Sequence, residues 1–144
     1  MRIRRLAATL ALAALPAAAM APANAAAAEP VLPIGQIQGP VTDADDGATH
    51  RSPFTGSFVT TRGVVRQKIV SRTSAGQPNY GFFLQSTPGS ADSDPLTSDG
   101  IFVFMSRFTT LIGGYTPQVG DEIVVRARVT EFFNLTELTS ASLV

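Results

Sequence analysis

The chain has 144 residues, is 44% hydrophobic and 15% charged, and balances eleven basic against eleven acidic side chains. That composition bounds it at one domain and excludes extended disorder. With no Cys and one His, it has no disulfide staple, no thiolate nucleophile and no zinc site of His and Cys ligands, and a Ser-His-Asp site would have to draw on His50 alone.

The first element is a targeting segment. Arg2, Arg4 and Arg5 form a basic start, residues 6–21 are almost wholly apolar, and Ala23-Asn24-Ala25 has small residues at the two positions a signal peptidase reads. This is the layout of a secretory signal, and Pro16 and the short apolar run argue against a retained transmembrane anchor. Cleavage is expected after Ala25, with Ala21 and Ala28 as alternatives. Without the three arginines, eight basic side chains face eleven acidic ones, a net charge of −3. An overall basic nucleic-acid coat is therefore excluded, and local patches are not.

Residues 26–33 are rich in Ala and Pro and read as a flexible leader; residues 34–38 read as a short strand. Residues 39–51 have loop composition. Residues 57–69 alternate, with Val59, Thr61, Gly63, Val65 and Ile69 on one face and Arg62, Val64, Arg66 and Lys68 on the other, and Gly63 offers a bend or bulge. After a turn over 71–79, the runs 80–85 and 101–105 read as two further strands. Residues 107–117 have room for a helical turn, limited by Gly113-Gly114 and Pro117. Residues 122–132 alternate cleanly, with Ile123, Val125, Ala127 and Val129 inward, and 136–143 supply a last strand. Five short strands with one helical turn predict an all-β fold, a five-stranded Greek-key barrel of the OB type over residues 34–144. A β-sandwich is the alternative and wants about seven strands.

Several blocks, in order, resemble one family: Ile34-Gly-Gln-Ile-Gln-Gly39, Ser52-Pro-Phe-Thr-Gly56, Val59-Thr-Thr-Arg-Gly-Val-Val65, Gly81-Phe-Phe-Leu-Gln85, Asp94 to Phe104, Val119-Gly-Asp121, Thr130-Glu-Phe132 and Thr136-Glu-Leu138. They are similar to the N-terminal OB-fold module of secreted bacterial nucleases whose downstream catalytic domain is of the endonuclease/exonuclease/phosphatase type. The resemblance implies an extracellular accessory module, a fragment of a longer nuclease, with the catalytic domain as its partner in cis. It places a divalent metal, Mg or Ca, in that missing domain and no cofactor in this chain. It also implies a monomer with no membrane association after signal cleavage. The insertion over 43–51 departs from the shorter connection usual in the family.

The candidate binding residues come from faces. Arg62, Arg66 and Lys68 on the first long strand and Arg126 and Arg128 on the fourth are expected to converge on one stripe able to track a phosphate backbone, or else to be a solvated exterior diluted by Glu122 and Glu131. If Gln85 marks solvent, Phe83 is exposed; if Ile101 and Val103 are core, Phe102 and Phe104 join Phe83 as stacking platforms for single-stranded or duplex DNA or RNA. The same rings could instead fill the barrel or pack on the catalytic domain. Asp92, Asp94 and Asp99 read as an Asx-rich turn or, alternatively, as hard oxygen ligands for Ca²⁺. The Asp43-Ala-Asp45-Asp46 cluster reads as a solvated loop and His50 as an exposed loop residue. No Gly-x-Ser-x-Gly or Ser-x-x-Lys motif occurs, so no catalytic constellation is assembled. Asn134-Leu-Thr136 fits an N-glycosylation pattern, incidental in a bacterial chain.

Overall fold

The computed structural model describes residues 29–41 and 50–144. The signal segment over 1–25, the start of the leader and the Asp43–Asp46 cluster lie outside the described residues. The elements are β1 (Val31–Leu32), α1 (Ile34–Gln38), β2 (Phe58–Arg72), β3 (Pro78–Gln85), β4 (Gly100–Ser106), β5 (Glu122–Phe132) and β6 (Leu135–Leu143). The sheet runs β1-β2-β3-β4-β6-β5, and β5 pairs back onto β2. β2 to β6 therefore close a ring, with β4 and β6 parallel and the other neighbours antiparallel. This is a five-stranded Greek-key barrel of the OB type.

The alternation in β2 makes the closure possible. Over its first half Val59, Thr61, Gly63 and Val65 are buried, and residues 58–64 pair with β5. From Val64 onward the strand pairs with β3 instead, Val64 with Gln85 and Val65 with Leu84. Gly63 stands at this exchange of partners, where a Cβ would lie 2.8 Å from the Gln85 carbonyl oxygen and 2.8 Å from Leu84 Cγ. Close backbone approach is what glycine permits at a barrel corner. The bulge falls later than Gly63, between Val65 and Gln67, so Arg66 is the extra residue and the inside/outside parity reverses beyond it. Lys68 is consequently in register with buried Phe82, and Ile69, expected inside, faces outward.

The interior is filled by Val59, Val65, Phe82, Leu84, Ile101, Val103, Ile123, Val125, Val129 and Leu138. Ile34 and Ile37, fully buried, add to it from α1. That segment is a helix and not the expected strand: Ile34 and Ile37 would point to opposite faces of a strand, whereas a spacing of three puts both against the core. The Ile37 amide donates to the Pro33 carbonyl at 3.3 Å, and the Gly39 amide to Gly35 at 2.8 Å. The leader expected over 26–33 is tied to the barrel where it is described, with Val31 and Leu32 pairing parallel to Thr60 and Thr61.

Two connections also differ from expectation. The helical turn expected within 107–117 does not form; Leu111 is buried there and Ile112 bridges to Ser142, a path that Gly113-Gly114 and Pro117 favour over a helix. The turn expected over 71–79 is shorter, because β2 runs to Arg72 and the Thr73 amide bonds the Gln77 carbonyl at 2.9 Å.

Candidate nucleic-acid interface

Alternation in β3 and β4 divides their aromatic residues between two environments. Phe82 and Leu84 are buried, and Phe83 between them is 39% exposed. Ile101 and Val103 are buried, and Phe102 and Phe104 are half-buried on the outer surface. Phe83 is in register with Phe102, and their rings tilt against each other with centroids 5.2 Å apart. Gly81 makes room for this arrangement: a Cβ there would sit 2.2 Å from Phe102 Cζ, so the ring lies across bare backbone. The outer surface of β3 and β4 thus carries an aromatic platform formed by Phe83, Phe102 and Phe104.

The basic residues are distributed differently. Arg62, Arg126 and Arg128 lie along the β2–β5 seam, Thr60 opposite Arg126 and Phe58 opposite Arg128. All three are engaged: Arg62 pairs with Glu122 at 3.5 Å, and Arg126 pairs with Glu29 at 2.8 Å while its guanidinium lies over the Phe58 ring at 4.6 Å. The hydrogen bond from Arg126 holds the Glu29 carboxyl below its ordinary pKa. Arg128 donates to the Gly56 carbonyl at 3.2 Å. Arg66 lies past the point where β2 leaves β5 and lines a depression with Gln85, Ser86 and Asp99. It directly precedes Gln67, the register partner of Phe83. Lys68 faces the other way, for the parity reason given above, and its charge acts on Asp121. The five cations therefore do not share one stripe, and Arg66 is the one beside the platform.

A second feature of the outer surface has no counterpart in the sequence reading. Beyond Phe102, a groove of about 240 Å³ is lined by Ile69, Tyr80, Phe102, Phe104, Phe132, Leu135 and Glu137. Glu137 is in register with Phe102 and only 6% exposed, and its carboxylate makes no hydrogen bond or ion pair with any described residue. Burial, and secondarily the charge of Glu131, raises its pKa above the ordinary 4.5. A raised carboxyl pKa means that the folded state favours the protonated form. The associated stability is complete below the unfolded pKa and is lost as pH rises through the folded one. Glu137→Gln is therefore expected to raise the thermal midpoint at pH 7 relative to the parent and to match it near pH 4. Melting curves of both proteins across that range check this, and a variant less stable than the parent at pH 7 would refute it.

The remaining candidates are occupied locally. Asp92 Oδ1 accepts from the Asp94 amide at 3.1 Å and from Thr97 Oγ1 at 2.9 Å, and Asp94 Oδ1 accepts from the Leu96 amide at 2.9 Å. The two amide bonds are Asx-turn bonds, and the Thr97 hydroxyl adds a side-chain bond across the same loop. Among the described residues no three His, Asp or Glu side chains are grouped to hold a metal ion. His50 is half-buried, not exposed, and donates from Nε2 to the Gln38 carbonyl at 3.0 Å. A wider depression of about 460 Å³ between β1 and residues 87–91 is lined by Arg62 and Glu122, which neutralise each other.

No family model matches the chain, and no curated protein matches it. Among solved structures it is similar to a candidate nucleic acid-binding lipoprotein of Klebsiella pneumoniae, with 14% identity and a TM-score of 0.49 over 69% of this chain and 79% of that one. That is a distant likeness of shape and carries no weight for what this chain binds. Among the described residues no helix is long and apolar enough to cross a membrane.

Proposed function

We propose that this barrel is a non-catalytic OB-fold module that is exported and binds single-stranded nucleic acid across the outer surface of β3 and β4, positioning it for a metal-dependent catalytic domain of a nuclease. The observation that carries the reading is the pair of an exposed Phe83 and a half-buried Phe102 on the outer surface of two adjacent strands, with Gln67, Gln85 and Arg66 nearby in the fold. Ring faces on such strands stack bases without regard to sequence, and a neighbouring cation meets the phosphate chain. With Arg66 the one cation among the described residues placed next to the register partner of Phe83, stacking supplies most of the affinity, and the salt dependence is shallow. In this reading the chemistry belongs to the partner domain.

Fluorescence anisotropy with labelled oligothymidylate tests this. Phe83→Ala is expected to weaken binding by about 1–3 kcal/mol, the usual contribution of one stacked base, and Arg66→Ala to flatten the salt dependence. Arg126→Ala, on the β2–β5 seam and already paired with Glu29, is expected to leave binding unchanged. No binding at low salt would discard the proposal. A second reading would then stand, in which the module only packs against its catalytic domain. It is favoured by the tip of the β5–β6 hairpin, where Phe132 and Phe133 meet edge to face at 4.7 Å and Phe133 is 89% exposed.

A further inference from the structure

We propose that the groove between β4 and the β5–β6 hairpin is a binding site for the head of a small alkylammonium cation, with Tyr80, Phe102, Phe104 and Phe132 as its walls and Glu137 as its counter-charge. The inference stands apart from the nucleic-acid reading, with which it shares Phe102 and Phe104 but not its ligand chemistry.

The argument is one of elimination by charge and shape. Glu137 is 6% exposed as a residue, and its carboxylate makes no hydrogen bond or ion pair with any described residue; burial thins its water, and no described side chain replaces what is lost. An anion is repelled by Glu137 and by Glu131, whose charge already acts on it. A neutral apolar ligand would strip the carboxylate of its remaining water and worsen the cost. A hard metal ion wants several oxygen ligands at short range, whereas the groove is walled mostly by rings and aliphatic side chains. A cation with diffuse charge and weak hydration satisfies both features. The ring faces attract it through their quadrupoles, and the carboxylate pairs with it in a poorly screened setting. The groove of about 240 Å³ corresponds to roughly eight waters at ~30 Å³ each, which is room for a trimethylammonium head.

The position of Glu137 on the sheet supports the assignment. Leu138 and Thr136 point to the barrel interior and are buried there, so alternation sends Glu137 to the outside, where solvation would be expected. It is nevertheless 6% exposed there, in a groove it shares with Phe102, Phe104, Phe132 and Leu135. Glu137 and these aromatic residues thus line the same open groove.

The test uses choline chloride as the cation and 3,3-dimethylbutan-1-ol as its uncharged isostere, titrated into the protein at constant ionic strength. Heat and two-dimensional NMR shifts are followed together. Choline is expected to bind saturably and to shift the ring signals of Tyr80, Phe102 and Phe132, and the isostere to bind at least tenfold more weakly. E137Q, which keeps the shape, is expected to lose at least tenfold in choline affinity, and Phe132→Ala, at the open rim, several-fold. Equal binding of choline and the isostere, choline affinity unchanged in E137Q, or shifts confined to residues away from the groove would each overturn the proposal, as would the absence of any binding. Oligothymidylate binding measured on the same samples keeps the two readings separate, since loss of one leaves the other in place.

Discussion

Phe82→Ala is expected to destabilise the barrel by about 3–5 kcal/mol, the range for deleting a large buried aromatic ring and leaving its cavity. Phe82 is fully buried and packs with Val65, Leu84 and Val103 at the centre of the core. In a domain of this size each kcal/mol moves the thermal midpoint by about 4–8 °C, so the drop is at least about 12 °C. The neighbouring change, Phe83→Ala, removes a ring from the outer surface and is expected to alter stability by less than about 1 kcal/mol. Urea unfolding of the two variants makes the comparison, and a Phe82→Ala protein within 1 kcal/mol of the parent would show that the core is not built as described. Two adjacent phenylalanines thus differ in place, one filling the barrel core and the other lying on its outer surface.

Gly63→Ala is expected to cost about 1–3 kcal/mol through overpacking, because the added Cβ would stand 2.8 Å from the Gln85 carbonyl oxygen. The contact is with backbone, which cannot turn aside as a side-chain end can. It also falls where β2 changes partners, between Gly63 opposite Ile123 and Val65 opposite Leu84, so relief of the clash moves β3 away from β2. Gly89→Ala serves as the control: nothing lies within 4 Å of its Cβ position, and a change of no more than about 0.5 kcal/mol is expected. Equal unfolding midpoints for the two variants would contradict the corner role of Gly63.

How much of this was legible in the sequence depends on the range of the interaction. Period-two alternation located the buried faces of β2 as far as Val65 and of β5 throughout, and it separated Phe82 from Phe83 and Ile101 from Phe102, because these are properties of neighbouring residues. The bulge at Arg66 left no mark, and everything counted past it, Lys68 and Ile69 included, was assigned to the wrong face. α1 was hidden because five residues with two isoleucines fit a strand or a helix turn equally well. β1, two residues long, has no periodicity to read. The basic stripe dissolved because its neutralising partners are distant in the chain: Glu29 reaches Arg126 across 97 positions. Glu137 went unnoticed for a related reason. An acid at an outward position reads as solvated, and only the assembled hairpin places Phe132 and Leu135 in the same groove.

The parallel junction of β4 and β6 has just two register pairs, Phe102 with Glu137 and Val103 with Leu138, whereas β5 meets β2 along residues 122–128. This is the shortest seam of the ring, and local opening is expected to begin there while the longer seams hold. One of the two fastening pairs is also a wall of the groove. A molecule that bridged Phe102 and Glu137 and bound only the closed ring would act as a clasp, raising the free energy of opening by RT ln(1 + L/Kd) at free ligand concentration L. Occupancy of the groove and closure of the ring would in this way be linked.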